Sequence, residues 1–237
     1  PHHPASAVAL VGGGAEPRPG EISLAHNGVL FLDELAEWDR RALEVLREPL
    51  ESGVVTISRA ARQSEFPARF QLVAAMNPCP CGWSGDPSGR CRCSLEAIQR
   101  YRSRLSGPLM DRIDLQLSVP RLAPHEMRSD APRGEATDLV RARVIAARET
   151  QMQRCGKTNA RLSQSETEKH CSLATKDQNL LERAMEALQL SARATHRILR
   201  VSRTIADLAG SENIDTQHLS EAIGYRQLDR GQAHAAT

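Results

Sequence analysis

Two short apolar runs frame the first third of the chain. Val29-Leu30-Phe31-Leu32 is β-branched, aromatic or large aliphatic at every position, and Phe70 to Met76 is a second, mostly apolar run. Val29 to Leu32 does not alternate with a period of two, which predicts a strand of a parallel sheet buried on both faces, and the second run predicts another strand. Between them, Leu43, Leu46 and Leu50 share one face of a helix predicted over Trp38 to Ser52, with Gly53 placed to cap it and Pro49 ending the regular part a turn earlier. Strand, helix, strand is the βαβ pattern. The stretch from Val54 to Gln63 runs on through Ser64 to Arg69 into the second strand and reads as a β-hairpin inserted before it.

Further along, the apolar spacing turns helical throughout. Helices are predicted over Glu135 to Arg154, Ser165 to Cys171, Thr175 to Leu190, Ser191 to Ala209 with Gly210 as cap, and Asp215 to Asp229. Leu180, Leu181, Ala184 and Leu188 form an aliphatic packing face, a core feature rather than a cofactor site. Only 3% of the residues are aromatic, so the core must be built from Leu, Val, Ile and Ala.

Both apolar runs end in polar residues with chemistry in them. The first ends in Asp33-Glu34 and the second in Asn77-Pro78. In an open α/β sheet, ligands bind at the carboxyl ends of the strands, so an acid pair there can hold a metal and orient a water. A neutral amide beside it can hydrogen-bond a phosphate oxygen and the attacking water without adding negative charge. Taken alone, an apolar run ending in two acids reads better as a strand that stops in a solvated turn; the second strand shifts the balance toward a nucleotide hydrolase.

With the motifs around these strands included, the sequence resembles the Mg-chelatase-like AAA+ ATPases, and within them the competence-associated ComM-type branch. The matching stretches are Pro1-His2-His3-Pro4-Ala5-Ser6, Pro19 to Gly28, the acid pair, Asn77-Pro78-Cys79-Pro80-Cys81-Gly82, Tyr101 to Pro108, Asp111-Arg112-Ile113-Asp114, Ser191-Ala192-Arg193 and Arg203 to Leu208. The resemblance implies a Walker B role for Asp33 and Glu34, sensor 1 for Asn77, an arginine finger for Arg112 and sensor 2 for Arg193, with Arg197 one turn on as the runner-up. Asp33 would hold Mg2+ through its water shell, Glu34 would polarise the attacking water and Asn77 would position it. Read from local sequence alone, Arg112 is equally a salt-bridge partner of Asp111 or Asp114. In related ring helicases an insert where the hairpin stands projects into the central pore, which makes Arg59 and Arg62 candidate contacts to DNA phosphates; ordinary solvated arginines are the other reading. Arg100, Arg102 and Arg104 form a second basic cluster, interfacial or structural.

The implied fold is α/β: part of an AAA+ P-loop-type core with a parallel sheet, followed by a small all-α lid domain. Residues 1–122 would be the core part and 135–237 the lid with sensor 2. The linker is 123–134, where Pro124, Pro132 and Gly134 crowd behind Pro120. No Gly-x-x-x-x-Gly-Lys-Ser/Thr phosphate loop occurs in the 237 residues. Gly156-Lys157-Thr158 is a decoy, since position 151 is Gln where the first glycine belongs and the preceding residues read as helix. The expectation is therefore the C-terminal part of a longer ATPase, one that binds ATP poorly and does not hydrolyse it on its own. For the complete protein, the resemblance implies ATP and Mg2+ as ligands and a homohexameric DNA helicase or branch-migration factor linked to natural transformation and recombination. The alternative is a magnesium-chelatase-like ATPase that remodels a protein partner for metal insertion.

Net charge of +2 argues against a uniformly basic nucleic-acid coat and makes any DNA contact local. Six cysteines, no signal peptide and no long apolar span point to the reducing cytoplasm and away from a membrane. Four of the six, Cys79, Cys81, Cys91 and Cys93, form a C-x-C-x9-C-x-C cluster with glycines between the pairs. Four thiolates on such a loop could close a structural zinc site, although one intervening residue is tighter than the usual spacing, and four free thiols are the other reading. His2, His3 and His26 lie in unrelated segments and are assigned no metal, and Cys155 and Cys171 read as ordinary helix residues.

Overall fold

The computed structural model describes residues 6–14, 17–59, 62–123, 126–128 and 134–226. His2 and His3, most of the expected linker and the end of the last expected helix lie outside them. The chain forms two compact units, Pro1–Ile113 and Asp114–Thr237.

In the first unit, α1 (Ala7–Val11) leads into a small antiparallel pair, β1 (Gly12–Gly13) and β2 (Arg18–Pro19), and then into α2 (Glu21–Leu24). Backbones touch at Gly20, where a Cβ would sit 2.4 Å from the Gly12 nitrogen, so only glycine fits. β3 (Val29–Leu32) and β6 (Gln71–Ala74) pair in parallel, with Val29 opposite Gln71 and Leu32 opposite Ala74. Between them come a 3-10 turn (Leu35–Glu37), α3 (Arg40–Glu44), α4 (Arg47–Ser52) and the hairpin of β4 (Val54–Arg59) and β5 (Arg62–Pro67). α5 (Leu95–Arg102) and α6 (Gly107–Met110) complete the unit.

Two sequence expectations are corrected here. The single helix expected over Trp38 to Ser52 is two short ones, broken at Val45-Leu46. Pro49 has no N–H to donate to the carbonyl four residues back, that of Val45, so the break falls upstream and the proline sits in the first turn of α4, where it is tolerated. Asp39 caps α3 by accepting from the N–H groups of Arg41 and Ala42, and Gly53 ends α4 in the left-handed region at φ 74°. Nor is β3 buried on both faces. Leu30 and Leu32 are buried against Leu35, Leu43, Leu46 and Ile57, whereas Val29 and Phe31 on the other face are 60% and 49% exposed.

The second unit is helical: α7 (Thr137–Cys155), a 3-10 turn (Asn159–Arg161), α8 (Gln164–His170), α9 (Thr175–Leu188), α10 (Ala192–Leu208) and α11 (Thr216–Gly224). Its core is aliphatic, with Leu162, Leu181, Ile198, Ala206 and Leu219 at the centre. Ser163 and Glu166 form a capping box on α8, and Ser191 caps α10 by accepting from the Ala194 N–H. Gly156, in the phosphate-loop decoy, is the left-handed cap of α7, and Lys157 pairs with Glu166 at 2.7 Å. A polar knot is buried inside: Asp207 accepts from Arg203, Arg154 and Asn159, and Arg203 also donates to the carbonyls of Ser211 and Glu212. The N–H of Gln116 donates to the carbonyl of Tyr225, tying the segment after Ile113 to this unit, so the division falls ahead of the proline cluster. Among the described residues no helix is long and apolar enough to cross a membrane.

Candidate functional site

Parallel pairing puts the carboxyl ends of β3 and β6 at one sheet edge, and the residues that follow each strand emerge there. Asp33 and Glu34 follow β3 directly, and Asn77 comes three residues after Ala74; all three are exposed. The structure thus brings the acid pair and the amide to one edge, as their positions after the two strands require.

The acid pair is held by backbone geometry as well as by the strand. Glu34 has φ 50° and ψ 45°, the left-handed region, which costs a non-glycine residue about 1 kcal/mol or more. Its N–H donates to Asp33 Oδ1 at 2.8 Å, and the next N–H, of Leu35, returns to the carbonyl of Ala75 on the β6 side at 2.9 Å. The indole Nε1 of Trp38 donates to the carbonyl of Asp33 at 2.9 Å, with the ring buried in the core. These contacts turn the chain sharply after Asp33 and fix the backbone that carries the two carboxylates.

Arginines support the same edge. Arg104 donates to the carbonyl of Ala36 at 2.9 Å and pairs with Glu37 at 2.8 Å, which fastens the segment just after α5 to the turn after the acid pair. Arg102 donates to the carbonyl of Pro78 at 3.2 Å, next to Asn77. Of the two readings for this basic cluster, the structural one describes Arg102 and Arg104. Sequence reasoning missed Trp38 as a support and did not name the contacts of Arg102 and Arg104, and the left-handed turn at Glu34 left no residue-type signal, since glycine and asparagine are the usual occupants.

Arg112 follows α6, with its side chain largely covered. It forms an ion pair with Glu51 and donates to the carbonyl of Pro108 at 2.7 Å. The local sequence offered Asp111 or Asp114 as its salt-bridge partner; Glu51, an acid from α4, is a partner that reading did not foresee. Arg59 and Arg62 are paired across the tip of the β4–β5 hairpin, whose two connecting residues lie outside the described ones. His26 accepts from the Arg69 N–H through Nδ1, a structural role.

The helical unit carries the remaining candidates. Arg193 lies exposed in the first turn of α10, and Arg197, one turn on, pairs with Asp114 at 2.6 Å.

Beyond Asn77, the four clustered cysteines converge. Their sulfur atoms all lie within 4.8 Å of one another, although Cys79 is buried and Cys81 is exposed. A backbone N–H at Trp83 draws the Cys81 thiol down to about 6. Its neighbour Cys93 is pushed up to about 12, first by its hydrogen bond with Cys81. Cys171 is buried and held high, to about 11, by desolvation.

The family model described as magnesium chelatase, subunit ChlI, matches residues 1–127, and that of the same subunit's C-terminal part matches residues 134–226. Competence protein ComM of Haemophilus influenzae is 55% identical over 97% of this chain, and the protein YifB of Escherichia coli 52% identical over 97%. The chain spans 45% of the length of each of these relatives. A weaker likeness, 32% identity over 40% of the chain and 10% of the relative, is to the DNA replication licensing factor Mcm6 of Drosophila melanogaster. With both of its units matched in this way, the chain belongs to the magnesium chelatase subunit ChlI family, a mixed α/β part of an AAA+ core followed by a helical domain.

Proposed function

We propose that this chain carries the hydrolytic sheet edge and the helical lid of an AAA+ ATPase that, at full length, drives a hexameric ring on DNA as a helicase or branch-migration factor. The observation that carries the reading is the emergence of Asp33, Glu34 and Asn77 at one edge of two parallel strands, with Glu34 turned out by a left-handed backbone.

The donor set fits a hard cation beside a triphosphate: two exposed carboxylates and a neutral amide. Mg-ATP, when bound, supplies the γ-phosphoryl group that passes to water. Asp33, with one oxygen already accepting the Glu34 N–H, would hold the metal's water shell through its other lone pairs. Glu34 accepts the proton of the attacking water, and Asn77 orients that water from the neighbouring strand. Arg193, or Arg197 one turn on, is the proposed sensor 2 carried by the helical unit. Arg112 acts as the finger toward a neighbouring subunit, which requires it to exchange Glu51 for phosphate. The four cysteines take no part in this chemistry, since a shell of four thiolates leaves no open coordination position.

The competence protein among the relatives and the likeness to a DNA replication licensing factor favour DNA as the partner. Arg59 and Arg62 at the hairpin tip are the proposed phosphate contacts, which give affinity without sequence choice. The magnesium chelatase description of the family favours the second reading, an ATPase that remodels a protein partner. ATP turnover by the full-length protein, with and without forked DNA at fixed salt, separates them. Strong stimulation by DNA, lost in Glu34→Gln, supports the motor; robust turnover indifferent to DNA supports protein remodelling. Arg59→Ala with Arg62→Ala should also flatten the salt dependence of DNA binding, and an unchanged slope removes the hairpin tip from the interface.

A further inference from the structure

The segment from Asn77 to the N-cap of α5 at Ser94 has no regular secondary structure, yet its four thiols are gathered tightly. Cys79 Sγ lies 3.4 Å from Cys81 Sγ and 3.8 Å from Cys91 Sγ, and Cys81 Sγ lies 3.7 Å from Cys91 Sγ. Four sulfurs placed tetrahedrally about Zn2+ at roughly 2.3 Å stand about 3.8 Å apart. A disulfide brings its sulfurs to about 2.05 Å. The separations among Cys79, Cys81 and Cys91 are close to the tetrahedron's edges, and Cys93 Sγ lies within 4.8 Å of the other three.

The loop is shaped around this cluster. Gly82, Gly85 and Gly89 all adopt positive φ, and the Gly82 N–H closes a turn on the Cys79 carbonyl at 3.0 Å, which accommodates the tight C-x-C spacing. The Ser84 N–H points at Cys79 Sγ at 3.3 Å, the kind of outer donor that supports a metal-bound thiolate. Four thiolates about Zn2+ carry two net negative charges. Arg92 lies between the last two cysteines in the chain, and Arg90 is packed 4.9 Å over the Trp83 ring, so two cations belong to the same loop.

We propose that Cys79, Cys81, Cys91 and Cys93 bind one Zn2+ in a closed tetrathiolate shell, and that this staple fixes the Asn77 amide at the sheet edge. Each thiol that binds releases its proton to solvent, and no electron is transferred. Asn77 is two residues from Cys79, and a Cβ built on Gly82 would lie 3.8 Å from Asn77 Oδ1, so its side chain rests against the cysteine turn. The second half of the proposal rests on the role given to Asn77 above.

The test is metal content of the full-length protein, purified without chelator and again after incubation with Zn2+ and a reductant. About one zinc per chain is expected, and replacement by Co2+ should give the visible bands of a tetrahedral thiolate site. Cys91→Ser with Cys93→Ser should abolish binding, and Cys155→Ser should leave it intact. Less than about 0.2 zinc per chain in both preparations, or unchanged content in the double variant, overturns the site. Removing the metal should speed amide hydrogen exchange over residues 77–94 while leaving β4 and β5 unchanged; equal exchange over 77–94 overturns the staple. It should also lower kcat for ATP with KM little altered. Bound zinc with unaltered kcat after its removal overturns the link to Asn77. Absence of ATP turnover in the zinc-loaded protein overturns the reading of Asn77 on which that link rests, and the metal result stands apart from it.

Discussion

Asp207→Asn is expected to destabilise the helical unit by about 3 to 5 kcal/mol, the range for breaking a buried ion pair by removing one partner. Asp207 has a fully buried side chain and accepts from Arg203 Nε at 3.0 Å, from Asn159 Nδ2 at 2.8 Å and from Arg154 at 3.1 Å, with a second, shorter contact from Arg154. The Asn variant removes the charge and turns one acceptor into a donor, so two of these donors face an N–H. Arg154 keeps some access to water, but the Arg203 side chain is only 3% exposed and retains just the carbonyls of Ser211 and Glu212. Most of the cost therefore falls on Arg203. With a urea slope near 2 kcal/mol/M, the midpoint should drop by about 2 M. Both tryptophans, Trp38 and Trp83, lie in the first unit, so their fluorescence reports that unit while far-UV circular dichroism includes the helical one. Adding Arg203→Met should recover part of the loss, because the cation left without a counter-charge goes with it. A dichroism midpoint lowered by less than about 0.5 M, or an equal shift in tryptophan fluorescence, would refute the reasoning.

Trp38→Phe keeps most of the buried ring but deletes the 2.9 Å bond to the Asp33 carbonyl, costing about 1 kcal/mol and lowering kcat for ATP in the full-length protein more than it alters KM; unchanged kcat would remove Trp38 from the support of the acid pair. The Lys157 ammonium, with the Ser163 N–H, holds the Glu166 carboxyl down at about 2, against 4.5 in the absence of partners. A lowered carboxyl stabilises the fold above its unfolded value and loses that effect as pH falls through its folded one, so the Tm advantage over Glu166→Gln should be full above about pH 5 and vanish near pH 2; a constant gap would show that the charge is not involved. Glu51→Gln loosens the hold on Arg112, so ATP turnover by the full-length protein should rise a few-fold if that arginine serves a neighbouring subunit, whereas a fall parallel to Arg112→Ala would make the pair purely structural.

What could be read from the sequence was what chain direction dictates. Two apolar runs joined by a helical segment pair in parallel, and the residues after each then share an edge, so Asp33, Glu34 and Asn77 needed no knowledge of packing. What could not be read depends on contacts far apart in the chain or on backbone angles without a residue signature. Arg104 reaches Glu37 across 67 positions, and Arg112 reaches Glu51 across 61. Glu34 adopts a left-handed turn that its side chain disfavours, so residue preference pointed away from the geometry found. Pro49 was legible as a helix breaker but not in its place of action, which lies four residues upstream. The cysteine spacing named the ligand type, and only the glycine turns show how pairs nine residues apart meet.

The burial of β3 separates pattern from packing most clearly. Its four residues are apolar on both faces, and a strand so written belongs between two layers, because an exposed position tolerates a polar residue at no cost. In the first unit, the face carrying Leu30 and Leu32 is covered by α3, α4 and the hairpin, while Val29, Phe31 and Val73 on the other face remain open. The alternation observed in burial is therefore a property of which layers are present in these residues, and the lack of alternation in sequence is a property of the strand itself. Asp33 stands at the end of the exposed row, after Phe31, and its carbonyl is gripped from the covered side by Trp38. The acid that would hold the metal is thus anchored from the covered layer while its own side chain stays accessible at the edge, which is the arrangement a hydrolytic carboxylate requires.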